Sequence, residues 1–518
     1  MKELVSQRML LPAFEQHAWR MAIHDGDYHA TYEEHAERVL RLCDVLRREL
    51  GVRRDSRFAV MAANGHQFLE LYHAGFLGAG VVNPLNLRLA GQELQFILAD
   101  SGTEVVFVDG LFAAHLERSI AEVREDLPLR KIVLIGESDA PHDLRYEDLL
   151  AAAVPTLPEE PEEDDPVVLM YTGGTTGLAK GALLSQRAEL LNLYHIAMAL
   201  GFDASRIYLH QTPMFHAASM AAVLGIPGVG GTSVFLPLYN PAGAMELIER
   251  YGVNWTTMVP TMIAMLLDHP GFGPERLASL KDLVYGASPM PEALLDRIRT
   301  TLPAVRLWQG YGMTECSSVL TILTDADHRR DGHVLRSAGR AVIGVNLRIQ
   351  GEDGAVLGTR ETGEVCARGG NLMIEYWNRP ANTEAAFEGG WYHTGDEGYL
   401  DEEGYLYLVD RVKDMIVTGG ENVYSIEVEN AISTHPAVAE VAVIGIPHPV
   451  WGEQVHAIVV PREGALVTPE EIQEHARASI AGYKVPKSVE FRTEPLPLSG
   501  AMKPLKRELR RPYWEEVR

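Results

Sequence analysis

Short apolar runs alternate with segments of helical periodicity over most of the chain. Strand-like apolar runs lie at 57–62, 80–82, 105–108, 256–259 and 282–285. Segments whose apolar residues recur at helical spacing lie at 66–76, 91–99, 263–267 and 292–301. This alternation predicts βαβ units that build largely parallel sheets, with helices against the sheet faces.

The pattern changes in the last third of the chain. Residues 339–409 show short strand-like runs separated by glycine-rich turns, which predicts a small β unit. The C-terminal segment predicts a compact α+β set, with strands at 441–446 and 455–460 and a helix at 470–480. Because 518 residues exceed what one hydrophobic core supports, two or more domains are expected.

The predicted fold class is therefore α/β. A large N-terminal domain of parallel-type sheets with helices, plus the small β unit, is expected over residues 1–411. A small, mobile α+β C-terminal domain is expected over residues 412–518, with a hinge near Lys413. Ser185 and Ser425 each precede a helical pattern, which predicts that both are helix N-caps.

Charge and cysteine content narrow the function classes. The formal net charge of −25 disfavours nucleic acid or an anionic membrane as the main partner, so an anionic ligand must be held by local groups. Three cysteines without paired spacing exclude a zinc ribbon and suit a reducing, cytoplasmic location. Prolines and glycines interrupt the uncharged segment 211–245, which favours a buried helix–turn–strand over an integral membrane segment. The oligomeric state stays open, with a homodimer among the alternatives.

A glycine- and threonine-rich segment at 171–181 has the composition of a phosphate-binding loop. It reads Tyr-Thr-Gly-Gly-Thr-Thr-Gly-Leu-Ala-Lys-Gly and follows a predicted buried strand at 167–170. Glycines let backbone N–H groups approach a polyphosphate, threonine hydroxyls donate further hydrogen bonds, and Lys180 adds positive charge. The spacing differs from the Walker A pattern. The alternative is a glycine-rich turn without a ligand.

Three more polar clusters offer ligand chemistry. Thr314 and Glu315 lie at a predicted strand end, where Thr314 suits a phosphate oxygen and Glu315 suits Mg²⁺; a turn with a solvated Glu is the alternative. Asp396 follows a glycine at a predicted turn and suits a ribose diol, with an Asx-turn as the alternative. Lys503 lies in a loop near the C-terminus, where a solvated lysine is the ordinary interpretation.

Taken in order, these segments make the whole chain resemble the adenylate-forming superfamily of acyl-CoA synthetases, peptide-synthetase adenylation domains and firefly luciferase. The segments that carry the resemblance are 171–181, Pro-Met-Phe-His at 213–216, Gly-Ala-Ser-Pro at 286–289, 311–315, Gly-Glu at 363–364, 391–396, Asp-Arg-Val-Lys-Asp at 410–414, Gly-Gly-Glu-Asn at 419–422, and Lys503. The segments 410–414 and 419–422 resemble the acyl-CoA ligase branch in particular.

The resemblance implies a two-step reaction that uses ATP, Mg²⁺ and coenzyme A. A carboxylate attacks the α-phosphate of ATP, pyrophosphate leaves, and the thiol of coenzyme A then attacks the acyl-adenylate. The phosphate loop would comprise Thr172, Gly173, Gly174, Thr175, Thr176, Gly177 and Lys180. The adenine would be framed by Gly286, Ala287, Ser288 and Tyr311, and Gly312 would also belong to the cofactor-binding site. The ribose would meet Asp396 and Arg411.

The remaining implied roles concern the reacting groups and the hinge. Thr314 and Lys503 would contact the α-phosphate, and Lys503 would also contact the acyl carboxylate. Glu315 would bind the Mg²⁺. Rotation about Lys413 would withdraw Lys503 and bring in the segment Gly419, Gly420 and Glu421 to line a pantetheine tunnel. His216 either gates the acyl channel or is a packed histidine, and the two alternatives weigh equally.

The acid is expected to be bulky and apolar: aromatic, alicyclic or of medium to long chain. The expected acyl pocket is lined by Ala217, Ala218, Ala221, Ala222, Met258, Gly310, Met313 and Ser317. These side chains are mostly small, and none is a cation for a second carboxylate.

Departures from the family pattern leave alternatives to this function. Gly173 replaces the usual serine, and Ala179 replaces the usual proline. Met502 and Pro504 flank Lys503, where the family usually has glycine before the lysine and an apolar residue after it. These departures favour, as an alternative, an enzyme that performs mainly the thioester-forming half from a supplied acyl-adenylate. A luciferase-like oxygenase and a carrier-protein-loading adenylating enzyme are further alternatives.

Overall fold

The structure is a computed structural model that describes residues 4–172, 179–330, 332–411, 415–418, 421–449, 451–500 and 502–515. Several residues with predicted roles lie outside these ranges, so their roles stay predictions. They are Gly173, Gly174, Thr175, Thr176, Gly177, Lys413, Gly419 and Gly420.

The strands are short and spread over the whole chain. They are β1 (Met21–Asp25), β2 (Tyr28–Thr31), β3 (Arg57–Met61), β4 (Val81–Pro84), β5 (Val105–Asp109), β6 (Lys131–Ile135), β7 (Leu144–Arg145), β8 (Pro166–Thr172), β9 (Lys180–Ser185), β10 (Ile207–His210), β11 (Thr232–Phe235), β12 (Trp255–Met258), β13 (Asp282–Gly286), β14 (Arg306–Tyr311), β15 (Thr321–Leu323), β16 (Arg340–Ala341), β17 (Asn346–Gln350), β18 (Gly363–Arg368), β19 (Glu375–Tyr376), β20 (Tyr392–Leu400), β21 (Leu406–Arg411), β22 (Ile416–Thr418), β23 (Glu421–Val423), β24 (Val438–His448), β25 (Gly452–Pro461) and β26 (Ser488–Phe491).

The α-helices lie mainly between these strands, as the alternating pattern predicts. They are α1 (Gln7–Gln16), α2 (Tyr32–Asp44), α3 (His66–Ala74), α4 (Gly91–Ser101), α5 (Gly110–Ile120), α6 (Tyr146–Ala152), α7 (Gln186–Leu200), α8 (Met220–Gly228), α9 (Pro241–Tyr251), α10 (Pro260–Asp268), α11 (Glu292–Thr301), α12 (Asp325–His328), α13 (Pro380–Ala386), α14 (Ser425–Ser433), α15 (Pro469–Arg477) and α16 (Lys506–Glu515).

Two large sheets form the N-terminal domain. One has the order β16-β15-β14-β13-β12-β10-β11-β1-β2, and the other has the order β19-β9-β8-β4-β3-β5-β6-β7. The central pairs of both sheets are parallel, and antiparallel pairs occur toward their edges. Central strands such as β5 are apolar and buried at nearly every position, because helices cover both faces of a parallel sheet.

Two smaller sheets complete the fold. The antiparallel sheet β17-β18-β20-β21 is the predicted small β unit. In the C-terminal domain the long hairpin of β24 and β25 carries β22, β23 and β26, and α14 packs on it. A separate apolar core there includes Ile416, Val428, Val455 and Ile472. The predicted fold class is therefore confirmed, and the boundary at residue 411 stays a prediction.

Local details confirm some predictions and correct others. Ser185 caps α7, because its hydroxyl accepts a hydrogen bond from the Ala188 N–H. The N-cap prediction for Ser425 is wrong: Tyr424 occupies that position, and the Ser425 hydroxyl accepts from Lys506 Nζ at 2.6 Å instead. Segment 211–245 forms α8 and β11, as predicted. Across the described ranges, no helix is long and apolar enough to span a membrane.

Candidate active site

A large cleft of about 2750 Å³ runs between the N-terminal domain and the C-terminal loop that carries Lys503. It opens at the carboxyl ends of β12, β13 and β14, where the ligands of open α/β sheets gather. Predicted site residues that line the cleft are Thr172, Lys180, His216, Gly286, Ala287, Ser288, Tyr311, Gly312, Thr314, Glu315, Asp396 and Lys503. The fold therefore brings together residues from distant parts of the sequence.

The described ends of the glycine-rich segment are held by a hairpin. Thr172 ends β8 and Lys180 begins β9, and the two residues are cross-strand partners. The Lys180 ammonium lies over the ring of Tyr376, with Nζ 4.8 Å from the ring centroid. An aromatic face attracts a cation in this arrangement, so the ring stabilises the lysine in its position at the cleft.

Tyr376 also contacts Glu315. The helical turn Thr314–Cys316 follows β14 directly and buries both Thr314 and Glu315. The Tyr376 hydroxyl donates to Glu315 Oε1 at 2.8 Å. One tyrosine therefore joins a cation and a carboxylate that sequence reasoning assigned to the triphosphate and the metal.

Asp396 is buried in a strand, which corrects the predicted turn. Gly395 has a φ of 71° inside β20, and Asp396 is the cross-strand partner of Arg411 in β21. The Tyr311 hydroxyl donates to Asp396 Oδ2 at 2.8 Å. Burial, followed by the neighbouring Asp396 charge, raises the pKa of Tyr311, so the phenol stays a hydrogen-bond donor.

Close backbone packing explains two of the glycines. A Cβ on Gly286 would lie 2.2 Å from the Gly310 carbonyl oxygen of the neighbouring strand. A Cβ on Gly312 would lie 2.2 Å from the Ser318 carbonyl oxygen. Ala287 adopts a φ of 65°, which is uncommon for a residue with a side chain. Gly286 therefore lets the ends of β13 and β14 lie close together, and Gly312 lets the chain pack against the turn at Ser318.

The loop that carries Lys503 is docked onto the N-terminal domain. Thr261 Oγ1 donates to the Met502 carbonyl at 2.6 Å, and Arg88 Nη1 donates to the Leu498 carbonyl at 3.0 Å. A Cβ on Gly500 would lie 2.0 Å from Asn86 Oδ1, so a larger residue there would displace the Asn86 side chain. Within the loop, the Lys503 N–H donates to Ser499 Oγ at 3.1 Å. These contacts present Lys503 to the cleft.

His216 lies beside Lys503 in the same cleft. Its Nδ1 accepts a hydrogen bond from the Ala218 N–H at 3.2 Å, so it caps the short helical turn Ala217–Ser219. Removal from bulk water and the positive charge of Lys503 lower the pKa of His216 to about 3. The ring is therefore neutral at physiological pH. Both predicted alternatives, a gate and a packed residue, are compatible with this environment.

The predicted acyl pocket forms an apolar section of the cleft, with one exception. The residues that line it as predicted are Ala217, Ala218, Ala221, Ala222, Met258, Gly310 and Met313. Ser317 does not line it, because positive φ angles at Ser317 and Ser318 reverse the chain and bury the Ser317 side chain. Trp255 and Val319 also line this section, and both pack in one apolar cluster with Ala221 and Ala222.

Sequence reasoning missed the residues that hold the site residues in place. Tyr376 lies in the two-residue strand β19, which gives no periodic signal, and it was expected in the small β unit rather than beside β9. Arg88 and Thr261 contact the Lys503 loop from 410 and 241 residues away in the sequence and carry no local motif. The side chains of Arg411 and Glu421 lie outside the described part of the structure, so their predicted roles stay predictions.

Comparisons with known proteins identify the family of the chain. The family profile described as AMP-binding enzyme matches residues 12–377, and that of the AMP-binding enzyme C-terminal domain matches residues 427–503. A feruloyl-CoA synthase from an Amycolatopsis species is 37% identical over 495 residues, covering 95% of this chain and 96% of that protein. The long-chain-fatty-acid–CoA ligase FadD13 of Mycobacterium tuberculosis is 34% identical over 487 residues, covering 94% of each chain.

A solved structure shows the same fold. The o-succinylbenzoate CoA synthetase (MenE) from Bacillus subtilis, in complex with its acyl-adenylate intermediate, has a TM-score of 0.83 at 29% identity and covers 97% of each chain. The same synthetase has also been solved in complex with ATP and magnesium ion. The chain therefore belongs to the AMP-binding enzyme family and is an AMP-forming, ATP-dependent acyl-CoA synthetase of the adenylate-forming superfamily.

Proposed function

We propose that this synthetase activates a bulky, apolar carboxylic acid, which is aromatic, alicyclic or of medium to long chain, and joins it to coenzyme A. The observation that carries the proposal is the apolar section of the cleft beside Lys503. Its walls are alanines on α8 and the preceding turn, and Trp255 and Met258 on β12 contribute larger apolar surfaces. A feruloyl-CoA synthase and a long-chain-fatty-acid–CoA ligase among the relatives support the same size class.

In the first step, a carboxylate oxygen of the acid attacks the α-phosphorus of ATP. A bond forms between them, the bond to the bridging oxygen breaks, and pyrophosphate leaves with the electron pair. Catalysis of phosphoryl-type transfer depends on positioning and on stabilising the charge that develops on phosphate oxygens. Lys503 and Thr314 would act on the α-phosphate, and Lys180 and Thr172 on the β- and γ-phosphates. Their common cleft supports these roles.

The Mg²⁺ that the family implies fits the residues present. Glu315 offers a carboxylate oxygen, the ligand type that Mg²⁺ prefers, and its orientation is fixed by the hydrogen bond from Tyr376. The neighbouring Lys180 favours the binding of phosphate oxygens beside the carboxylate. When bound, the ion would neutralise charge on the triphosphate. The residues of this chain would orient the ATP.

The remaining proposed contacts hold the nucleoside. Asp396 would accept hydrogen bonds from the ribose hydroxyls, with Arg411 beside it, and the buried Tyr311 fixes the carboxylate through its own hydrogen bond. Gly286, Ala287 and Ser288 would frame the adenine together with Tyr311, and Gly312 adjoins them in the cleft.

In the second step, the thiol sulfur of coenzyme A attacks the acyl carbon, the thioester forms, and AMP leaves. We propose that rotation about Lys413 withdraws Lys503 for this step and brings in the segment Gly419, Gly420 and Glu421. The family resemblance supports this role.

A panel of acids tests the proposal. Ferulic acid, a medium-chain fatty acid, a long-chain fatty acid, acetate and succinylbenzoate are each incubated with ATP, Mg²⁺ and coenzyme A. Thioester is identified by mass, and AMP and pyrophosphate are measured alongside it. We expect the bulky monocarboxylates to exceed acetate and the dicarboxylate in kcat/KM. A clear preference for acetate or for the dicarboxylate would contradict the assignment of the apolar section to the acyl group.

A further inference from the structure

We propose that Glu364, Cys366 and His393 form a binding site for a thiophilic divalent cation, Zn²⁺ or Cd²⁺, at the edge of the nucleotide cleft. A carboxylate oxygen, the thiol sulfur and a ring nitrogen of the three residues lie within 4.8 Å of one another. Sheet geometry explains the cluster. Glu364 and Cys366 are alternate residues of β18 and share one face, and His393 of β20 is the cross-strand partner of Cys366.

The ring of His393 is oriented as a metal ligand. Its Nε2 lies 3.3 Å from the Glu388 carbonyl oxygen, so it can donate a proton there. Its Nδ1 then faces Glu364 Oε2 at 2.7 Å and Cys366 Sγ at 3.6 Å. In this tautomer the Nδ1 lone pair faces the carboxylate and the sulfur, and a cation bound among the three atoms would contact all of them. Metal-binding histidines commonly donate their other ring N–H to a carbonyl in this way.

The spacing suits a small cation after modest rotation of one side chain. Zinc bonds to nitrogen, oxygen and sulfur of about 2.0–2.3 Å place tetrahedral ligand atoms about 3.3–3.8 Å apart. The 3.6 Å separation of nitrogen and sulfur already lies in that range. The 2.7 Å separation of nitrogen and carboxylate oxygen must widen, and the Glu364 side chain is 30% exposed and can rotate. The fourth position would be taken by water, as in open zinc sites.

Access and charge also favour a soft cation. Glu364 and His393 line the cleft, which gives the ion an entry path. Burial and the neighbouring Glu364 charge raise the pKa of the Cys366 thiol to about 11, so a bound cation must displace the thiol proton, and this shift is only partly offset by Arg348. The positive charge of Arg348 opposes cation binding in general, so the strong bond from thiolate to metal must dominate. The site should therefore select Zn²⁺ or Cd²⁺ over Mg²⁺.

Occupation of the site is expected to weaken ATP binding, a consequence that rests on the proposed role of Asp396. The Gly395 N–H donates to Glu364 Oε1 at 3.0 Å, and Gly395 adjoins Asp396 in β20. Rotation of the Glu364 carboxylate toward a cation disturbs this hydrogen bond. The expected signature is a higher KM for ATP with the KM for the acid little changed.

Cadmium titration of the enzyme, free of Mg²⁺ and nucleotide, tests the site directly. Calorimetry gives the stoichiometry, and the ultraviolet thiolate-to-cadmium absorption band reports sulfur ligation. The chain has three cysteines, so one substitution identifies the sulfur. We expect one Cd²⁺ per chain with the band in wild type and in the matched control Cys43→Ala, and loss of the band in Cys366→Ser. His393→Gln and Glu364→Gln should each lower the affinity at least about tenfold, since even outer-shell changes cost that much.

Specific outcomes overturn the proposal. Absence of the band in wild type, its persistence in Cys366→Ser, or unchanged affinity in both His393→Gln and Glu364→Gln would each refute the site. The last two variants change partly exposed side chains, so they remain informative if Cys366→Ser fails to fold. A second experiment measures the KM for ATP with and without Zn²⁺ at saturating Mg²⁺. A normal titration with an unchanged KM would refute the link to the nucleotide, without bearing on the acyl-CoA ligase activity.

Discussion

Removing the hydroxyl of Tyr376 should weaken the enzyme's response to Mg²⁺ while leaving Lys180 in place. The hydroxyl donates to Glu315 Oε1 at 2.8 Å, and the ring face lies 4.8 Å from Lys180 Nζ. Tyr376→Phe deletes the first contact and keeps the second. Tyr376→Leu deletes both, so the pair of variants separates the two contributions.

The size of the effect follows from the groups involved. A hydrogen bond to a charged group contributes about 1.5–3 kcal/mol, which corresponds to roughly 10- to 150-fold in a rate or binding constant. The Tyr376 side chain is buried, so water cannot readily replace the lost donor. We expect Tyr376→Phe to lower kcat/KM for ATP by an amount in this range and to raise the Mg²⁺ concentration needed for half-maximal rate. Tyr376→Leu should cost a further 0.5–2 kcal/mol, or about 2- to 30-fold, from the lost attraction between ring and cation.

Two measurements check this prediction. Acid-dependent exchange of pyrophosphate into ATP, followed over a range of Mg²⁺ concentrations, isolates the first half-reaction. Calorimetric titration with MgATP measures binding apart from turnover. Tyr405→Phe is the matched control, because the Tyr405 hydroxyl also donates to a buried carboxylate, that of Asp327, but Tyr405 does not line the cleft. It should lower stability without altering the dependence on Mg²⁺.

Comparison with Glu315→Gln decides which part of the reasoning fails. If Glu315→Gln abolishes exchange while folded Tyr376→Phe keeps the wild-type dependence on Mg²⁺, then Tyr376 does not orient the carboxylate. If neither variant changes that dependence, the assignment of Glu315 as the Mg²⁺ ligand is wrong.

Three further predictions follow from the site and the core. Lys503→Ala should slow adenylate formation by roughly 100- to 1000-fold, because a positive charge at the α-phosphate is lost. It should spare thioester formation from supplied acyl-adenylate and coenzyme A. Equal loss in both assays would contradict the proposed role of Lys503. Ala222→Leu should shift kcat/KM from bulky toward shorter acids by about 10- to 200-fold, and an unchanged acid preference would place the acyl group elsewhere. Burial lowers the pKa of His73 and of His210 to about 4 and about 3. Unfolding therefore takes up protons below the ordinary histidine pKa of about 6.5, and the melting temperature should fall as the pH drops from 6.5 toward 4, less steeply in His73→Gln.

The sequence predicted those parts of the fold that leave a local signature. Buried parallel strands are continuous apolar runs, and the helices between them show their own period, so β3, β5 and α11 lie close to their predicted positions. The residues that line the cleft were predicted because each belongs to a short ordered segment of unusual composition. Glu315 lies at a strand end, as predicted, because β14 runs directly into the turn that carries it.

The rest depends on pairings between distant segments. Asp396 looked like a turn residue because a glycine precedes it. The segment is instead an irregularity within β20: Gly395 has a positive φ and the pairing with β18 shifts register there, while Asp396 stays paired with Arg411 of β21. Tyr376 could not be placed from its neighbours, since β19 has two residues and joins the sheet of β9 rather than the small β unit. Ser317 was expected in the pocket, and two consecutive positive φ angles turn it away.

The geometry around Met502 bears on the alternative that the enzyme performs mainly the second half-reaction. Met502 replaces a usual glycine and adopts a φ of 61°, a conformation that costs a residue with a side chain about 1–3 kcal/mol. Two side-chain contacts offset part of this cost: Arg88 Nη2 donates to Met502 Sδ at 3.8 Å, and the Met502 side chain packs against the apolar cluster that includes Met258 and Leu283. Both contacts exist only while the loop is docked. The docked loop therefore accommodates Met502, and the replacement gives no reason to assign the enzyme to the thioester-forming half alone.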